Sequence, residues 1–203
     1  MNFLRHAVAD REFFLLEDAR QASVLRLRSR DDTNRLSRAC ILSLHAAIDE
    51  LAANPRPLII TGNEKFFSVG ADLEEIAALA ATAAFEFSRM GQSLMQAVEA
   101  FPAPVYAAIS GYCMGGGLDF ALACHHRIAS PLAILGHRGA ALGLITGWGG
   151  TQRLPRLVGK GIALELFTAA EKIGARRALE IGLIDEIADD PVSAALHRIR
   201  RTG

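Results

Sequence analysis

Three consecutive glycines, Gly115 to Gly117, constrain the possible structure of this chain more than any other feature. They follow a short apolar run, Val105 to Ile109, which is preceded by Pro104 and is typical of a buried strand. From Leu118 onward, apolar residues recur at helical spacing. The sequence therefore predicts a strand, a tight glycine turn and a helix whose N-terminus presents free backbone N–H groups and partial positive charge.

The predicted helix N-terminus carries neither of the common nucleotide-binding fingerprints. The glycines are not followed by Lys-Ser/Thr, and they do not form G-x-G-x-x-G. A carbonyl oxygen that becomes an oxyanion during a reaction is a better candidate ligand, because the N–H donors would stabilise its developing charge. Asp119 lies three residues after Gly116, so its carboxylate shares a helix face with that N–H. An acid favoured only by the helix dipole is an equally good explanation of Asp119.

The composition argues against several classes of protein. Lys plus Arg and Asp plus Glu both number 22, so we expect no attraction to nucleic acid or to an anionic membrane. Cys40, Cys113 and Cys124 lack disulfide-like or metal-like spacing, which predicts no metal site and a reducing compartment. We find no secretory signal pattern and no apolar run long enough for a membrane span. A cytoplasmic protein with one domain is expected.

Strand and helix patterns alternate along the chain, which predicts an α/β fold with a largely parallel sheet. An apolar stripe from Leu36 to Leu51 predicts an amphipathic helix, and the alanine-rich segment from Leu73 to Glu99 predicts one long helix. The segments 62–72 and 139–150 are predicted to be loops. The remaining predicted elements are strands at 12–17, 23–28, 57–61 and 183–187, one or two strands within 128–136, and helices at 161–171, 175–181 and 191–200.

Three separated segments resemble one known family. They are Ile60 to Leu73 (ITGNEKFFSVGADL), Ala107 to Ala123 (AAISGYCMGGGLDFALA) and Gly143 to Gly159 (GLITGWGGTQRLPRLVG). In this order and spacing they resemble the crotonase family of enoyl-CoA hydratases and isomerases, over about residues 24–187. The resemblance implies the ClpP/crotonase fold, a spiral of ββα units. It also implies a core domain of residues 1–190 and a short C-terminal helix, 191–203, where the family usually continues further.

The resemblance further implies a substrate and a site. The substrate would be an acyl-CoA thioester of fatty acid metabolism, with no cofactor beyond the coenzyme A within that substrate. By position, the backbone N–H groups of Ala71 and Gly116 would bind the thioester oxygen and stabilise its enolate. Asp72, Leu73 and Glu74 would lie along the bound ligand. The implied assembly is a homotrimer or a hexamer of two trimers.

The site departs from the family pattern in its acid–base groups. Hydratases of the family carry two glutamates; the first falls on Asp119 and the second on Gly139, which has no side chain. His137 is the nearest titratable residue, and it is either a surface residue or an auxiliary acid–base group. Related dihydroxynaphthoyl-CoA synthases also have glycine there, but they carry Ser and Asp just downstream, where this chain has Leu144 and Thr146.

One carboxylate can take a proton from one carbon and return it to another, whereas hydration also requires activation of water. The lyase or isomerase chemistry expected from Asp119 is therefore a double-bond shift, or another enolate reaction such as decarboxylation, rather than hydration.

Two other interpretations remain open. Loss of the second carboxylate favours a protein that binds acyl-CoA without turning it over. Residues 111–115 (GYCMG) also fit G-x-C-x-G, a nucleophile elbow with Cys in place of Ser. This pattern favours a hydrolase with Cys113 as nucleophile and His125, His126 or His137 as base. A buried apolar thiol is the alternative role for Cys113.

Overall fold

The structure is a computed structural model that describes residues 6–202, with the side chains of residues 11–201. In this described part of the chain, the strands are β1 (His6–Asp10), β2 (Phe14–Asp18), β3 (Ser23–Leu27), β4 (Arg35–Leu36), β5 (Leu58–Thr61), β6 (Phe66–Ser68), β7 (Gly70–Ala71), β8 (Val105–Ile109), β9 (Tyr112–Met114), β10 (His126–Ala129), β11 (Ile134–Gly136), β12 (Ile173–Gly174) and β13 (Glu186–Ile187). The helices are α1 (Arg38–Ala52), α2 (Leu73–Ala77), α3 (Ala81–Glu99), α4 (Gly116–Ala123), α5 (Gly150–Val158), α6 (Lys160–Ala169), α7 (Ala175–Glu180) and α8 (Pro191–Thr202), with a 3₁₀ helix at Gly139–Leu142.

The main sheet has the strand order β1-β2-β3-β5-β8-β10-β13. Strands β1 to β3 are antiparallel, and the pairs from β3 to β13 are parallel. Every residue of β5 and β8 is buried, because helices cover both faces of the sheet. Along β8, alternate residues enter different cores: Val105, Ala107 and Ile109 join the larger one, whereas Tyr106 and Ala108 pack with residues of α8.

A second sheet of order β12-β11-β9-β6 lies beside the main one. Three times in succession the chain places one strand in the main sheet and the next strand in the second sheet, as β5 then β6, β8 then β9, and β10 then β11. Helices follow each such pair. This repeated course is a spiral of ββα units, and the predicted α/β class and spiral architecture are confirmed.

The C-terminal helix α8 packs directly on the main sheet. Its residues Ala195, Leu196 and Ile199 are buried in one cluster with Ile59 and Tyr106. The proposed division into a core of residues 1–190 and a separate helix of residues 191–203 stays a prediction. Residues 1–5 of that core and residue 203 of that helix lie outside the described part of the chain. Within residues 6–202, none of the helices combines the length and apolar character required to cross a membrane.

Several element boundaries differ from the sequence-based predictions. The segment 62–72, predicted to be a loop, contains β6 and β7, which are too short to show a periodic pattern. The predicted long helix 73–99 is interrupted at residues 78–80, because runs of alanine carry no pattern that marks a break. Helix α4 begins at Gly116 instead of Leu118. Helix α5 was not predicted, since Pro155 and the preceding glycines favour a loop.

Candidate active site

The glycine turn after β9 presents the N-terminus of α4 to a cavity. Gly115 has φ 51° and ψ −122°, a positive φ that side-chain-bearing residues rarely adopt. Gly116 is the first residue of α4, so its N–H has no partner within the helix. A Cβ atom at Gly116 would lie 2.3 Å from the ring of Trp148 and 3.3 Å from the backbone nitrogen of Ala71. The absence of a side chain therefore brings α4, Trp148 and Ala71 into close contact.

A second glycine brings β7 to the same point. Gly70 has φ 92°, and a Cβ atom there would lie 2.7 Å from the Gly116 nitrogen and 2.6 Å from the Met114 carbonyl oxygen. Only a glycine allows these backbones to approach so closely in this conformation. The backbones of Ala71 and Gly116 are thus close neighbours, and the role that the resemblance implies for their N–H groups stays a prediction.

A cavity of ≈ 800 Å³ opens beside Ala71 and Gly116. Most of its lining residues are apolar; they include Val69, Leu73, Ile76, Leu79, Phe87, Met114, Leu142, Leu144, Ile145, Trp148 and Phe167. Glu74 and Phe66 also line it, whereas Phe67 is fully buried in the core. Asp72 instead caps α2, since its Oδ1 accepts hydrogen bonds from the backbone N–H groups of Glu74 (2.9 Å) and Glu75 (3.3 Å).

Asp119 lies in the first turn of α4 and lines the cavity, with only 1% of its surface exposed. The Thr146 hydroxyl donates a hydrogen bond to Asp119 Oδ2, while Oδ1 has no hydrogen-bond partner among the described residues. Burial raises the pKa of Asp119 to about 7, although Thr146, the charge of Arg153 and the Trp148 backbone N–H act in the opposite direction. A carboxyl group that titrates near neutral pH is suited to proton transfer.

His137 lies next to Asp119. Its side chain is only 4% exposed, so the interpretation of His137 as a surface residue is wrong. Its Nε2 is 3.4 Å from Asp119 Oδ1, too far for a good hydrogen bond. The imidazole packs on the Phe167 ring, with 5.1 Å between ring centroids. Burial lowers the pKa of His137 to about 4, so the imidazole is neutral at neutral pH.

Two glycines determine how much space surrounds these groups. A Cβ atom at Gly150 would lie 2.1 Å from Asp119 Oδ1, so a glycine is needed there to accommodate the carboxyl group. A Cβ atom at Gly139 would lie 2.7 Å from the Leu144 carbonyl oxygen. A carboxylate therefore cannot be introduced at Gly139 unless the segment 139–144 shifts.

Cys113 does not have the surroundings of a nucleophile. It is fully buried, its Sγ donates to the Gly117 carbonyl oxygen at 3.5 Å, and burial raises the pKa of its thiol well above the ordinary value. The ring of His125 accepts a hydrogen bond from the Val105 N–H at 2.9 Å, and so it is engaged elsewhere. The structure contradicts the cysteine-hydrolase interpretation, since a nucleophilic thiolate must be accessible and stabilised.

Sequence reasoning missed three contributors to this site: Thr146, Trp148 and Gly150. Thr146 was considered only as a departure from one group of relatives, although its hydroxyl bonds Asp119. Trp148 is the chain's single tryptophan and lies within a glycine-rich segment, which was an available indication of a specific packing role. No pattern in the sequence indicated that Gly150 faces Asp119. In the described residues, we find no group of three or more His, Cys, Asp or Glu side chains that could hold a metal ion.

The raised pKa of Asp119 predicts how stability depends on pH. The pKa rises from 3.8 to about 7 on folding, so ionising this buried carboxyl lowers stability as pH increases through that range. The Asp119→Asn variant should therefore be more stable than the wild type at pH 8, and this advantage should disappear toward pH 4. One pKa unit corresponds to about 1.4 kcal/mol, so the advantage should exceed that value. Urea unfolding at pH 4, 6 and 8 measures it, and an advantage independent of pH contradicts the prediction.

Comparison with known protein families gives a consistent result. The sequence profile of the enoyl-CoA hydratase/isomerase family matches residues 19–201. The chain is 44% identical over 160 residues to a protein of Bacillus subtilis named "Probable enoyl-CoA hydratase"; the match covers 77% of this chain and 62% of that protein. It is 38% identical over 179 residues to crotonyl-CoA hydratase of Syntrophomonas wolfei, covering 87% of this chain and 69% of the relative. This chain thus spans less than two thirds of the Bacillus subtilis relative.

Solved structures show the same similarity. Pseudomonas aeruginosa DspI superimposes with a TM-score of 0.89 at 34% identity, covering 95% of this chain and 75% of that one. Enoyl-CoA hydratase from Bacillus anthracis superimposes with a TM-score of 0.88 at 35% identity, covering 94% of this chain and 76% of that one. These matches cover nearly the whole of this chain, and the family profile spans the glycine turn and Asp119.

Proposed function

This chain belongs to the enoyl-CoA hydratase/isomerase family, and on that premise we propose that it is an acyl-CoA thioester enzyme that works through an enolate. In the proposed site, the N–H groups of Ala71 and Gly116 form the oxyanion hole, and Asp119 transfers the proton. The favoured reaction is a double-bond shift, or another enolate reaction such as decarboxylation, over hydration. The reaction needs no cofactor beyond the coenzyme A carried by the substrate.

The observation that carries this proposal is the position and state of Asp119. Its carboxyl group is buried beside the N-terminus of α4, with one oxygen held by Thr146 and the other without a hydrogen-bond partner among the described residues. A base must be within reach of the carbon whose proton it removes, and its pKa must lie near the working pH. Burial raises the pKa of Asp119 to about 7, which meets the second requirement.

The two backbone donors suit an oxyanion. Enolate formation moves negative charge onto the thioester oxygen, and donors that are already fixed in place need no reorganisation to stabilise it. A Cβ atom at Gly116 would lie 3.3 Å from the Ala71 nitrogen, so these two backbone segments are close neighbours. The partial positive charge of the α4 N-terminus adds to this stabilisation.

The cavity has room for the acyl part of the substrate. Its mainly apolar lining suits an acyl chain, and Leu73, which is 52% exposed, and Glu74 would lie along the ligand. Asp72 would contribute indirectly, by capping α2 and fixing those two residues. Exposed apolar residues, such as Phe85 (66% exposed) and, at the cavity, Ile145 (72% exposed), support assembly as a homotrimer or hexamer that covers them.

The preference for isomerisation follows from Gly139. Hydration in the family divides water activation and proton delivery between two carboxylates, whereas here the second position has no side chain and no room for one. A double-bond shift requires only that Asp119 remove a proton from C2 and that a proton return at C4.

The test is to supply 3-enoyl-CoA and 2-enoyl-CoA to separate samples of the purified protein. We expect the double-bond shift to be faster than hydration by at least ~10-fold, since one acid–base group contributes ~10² to 10⁴. Exchange of the C2 hydrogen with deuterated water reports enolate formation directly. Binding without exchange or turnover would support the alternative of a non-catalytic acyl-CoA-binding protein, and hydration faster than isomerisation would contradict the stated preference.

A further inference from the structure

We propose that His137 is the second acid–base group of this site, exchanging a proton with Asp119 and taking up the proton of an attacking water. This inference rests on the proposed function, because it assumes the same enoyl-CoA thioester and the same Asp119. It assigns to residue 137 the role that a carboxylate at position 139 has in the family's hydratases. The chain would then retain a measurable hydratase activity beside its isomerase activity.

The geometry of two facing atoms carries the proposal. Asp119 Oδ1 and His137 Nε2 are buried, lie 3.4 Å apart, and are both without a hydrogen-bond partner among the described residues. Buried polar atoms in folded proteins are nearly always hydrogen-bonded, so two facing atoms that both lack a partner need an explanation. Both residues line the cavity. A shortening of the gap by a few tenths of an ångström, or one bound water at the cavity side, would connect them for proton transfer.

The surroundings of the pair determine which forms of the two groups are present. The Thr146 hydroxyl donates to Asp119, and the Trp148 backbone N–H and the charge of Arg153 on α5 favour its ionised form, although that arginine also pairs with Glu99. Cys113 on β9 is neutral because burial raises the pKa of its thiol. Phe167 on α6 contributes only an apolar ring face to His137. Because burial raises the pKa of Asp119 to about 7 and lowers that of His137, the imidazole is neutral near pH 7, where the carboxyl group is present in both its protonated and its ionised form.

Hydration uses the form in which Asp119 is protonated and His137 is neutral. The water oxygen forms a bond to C3 while its O–H bond breaks and the proton moves to His137 Nε2. The electron pair of the C2=C3 double bond moves onto the thioester oxygen, giving the enolate. Asp119 then gives its proton to C2, and the imidazolium returns its proton to the carboxylate across the 3.4 Å gap. Water is added across the double bond, and both protein groups regain their starting state.

A matched pair of substitutions tests the role of His137. The His137→Gln and His137→Glu variants introduce side chains of nearly equal size, but only glutamate can exchange a proton. We expect His137→Gln to lower hydration of 2-enoyl-CoA by ~10² or more, with isomerisation of 3-enoyl-CoA reduced less than ~10-fold. His137→Glu should hydrate faster than His137→Gln by at least ~10-fold. The KM for the thioester should change little in both variants.

A substitution of Phe167, whose ring packs on His137, separates a role of His137 in proton transfer from a purely structural role. Phe167→Leu removes the ring that packs on His137 but keeps the imidazole. Because this variant keeps the imidazole, its ratio of hydration to isomerisation should stay near that of the wild type, whereas His137→Gln should lower the ratio. Equal hydration rates in the glutamine and glutamate variants, or no hydration by the wild type, would overturn the inference and leave the proposed isomerisation intact. Absence of C2 hydrogen exchange in the wild type would instead refute the proposed function.

Discussion

Isomerisation of 3-enoyl-CoA should fall by ~10² to 10⁴ when Asp119 is replaced by Asn. Asparagine has the size of aspartate and can still accept the hydrogen bond from Thr146, but it cannot take up a proton. The buried carboxyl group has one oxygen that no described residue bonds, and the substitution removes the reactivity of that oxygen. Initial rates and C2 hydrogen exchange in deuterated water measure the loss.

The pH profile gives an independent check on the same group. Isomerisation begins with removal of a proton, so Asp119 must be ionised, and burial raises its pKa to about 7. The wild-type rate should therefore rise as the pH passes through about 7, and the residual rate of the Asp119→Asn variant should lack this rise. Asp190→Asn is a suitable control, because this carboxylate lies just before α8, accepts hydrogen bonds from Ser193 and is outside the cavity lining. A folded Asp119→Asn variant with the wild-type rate would assign proton transfer to another residue.

The same substitution is expected to stabilise the fold at neutral and alkaline pH and to lower turnover. These opposite effects have one cause, since burial without full hydrogen bonding makes the ionised carboxyl costly and places its pKa near the working pH. A site built in this way trades stability for reactivity. Thr146 limits the cost by holding Oδ2, so that only Oδ1 remains available.

The local pattern around the glycine turn was sufficient to predict the centre of the site. Strand β8 has the predicted bounds, and Gly116 and Asp119 lie at the N-terminus of a helix as expected. The neighbouring position of Ala71 came from the family resemblance, since nothing in the segment 60–73 alone indicates which backbone it approaches. Gly70 and Gly116 permit that approach through the missing side chains, a property that periodicity does not describe.

The surroundings of Asp119 could not be predicted because they come from distant parts of the chain. Thr146 and Gly150 are 27 and 31 residues away from Asp119, and they belong to a segment that the sequence predicts to be a glycine-rich loop. His137 follows a short strand, and burial of that position depends on Phe167 in a helix 30 residues later. Local sequence contains no information on these contacts, and so the choice between a surface histidine and an acid–base group required the structure.

Trp148 shows how closely the site is packed against its supporting helices. Its ring contacts Phe87 of α3, with 5.5 Å between ring centroids, and it fills the space beside Gly91 and Gly116. A Cβ atom at Gly91 would lie 2.2 Å from the indole. The indole thus fixes α3 against the start of α4, and the Trp148 backbone N–H favours the ionised form of Asp119 by lowering its pKa. Substitutions at Gly91 or Gly116 are therefore expected to displace Trp148 and to alter both the oxyanion hole and the surroundings of Asp119.

Removal of the Gly116 N–H should lower turnover by ~10² to 10³, the usual effect of losing one oxyanion-hole donor. Proline is the only residue that lacks this donor, and the first position of a helix tolerates it well. A side chain at this position also contacts the Trp148 ring. The Gly116→Pro variant by itself therefore cannot separate the effect of losing the N–H donor from the effect of displacing the indole. The Gly116→Ala variant is the matched control, since it introduces the same Cβ contact and keeps the N–H.

The informative quantity is the ratio of the two variants. We expect Gly116→Ala to lose activity through displacement of Trp148, and Gly116→Pro to be slower than it by a further ~10² to 10³ in kcat/KM for 3-enoyl-CoA. A Trp148→Leu background shortens the side chain that the new Cβ meets, and it allows the same ratio to be measured in proteins that fold. Thermal unfolding of each variant checks the fold. Equal activity of the proline and alanine variants would mean that the Gly116 N–H does not bind the thioester oxygen. The enolate would then depend on Ala71 and on the helix dipole of α4 alone.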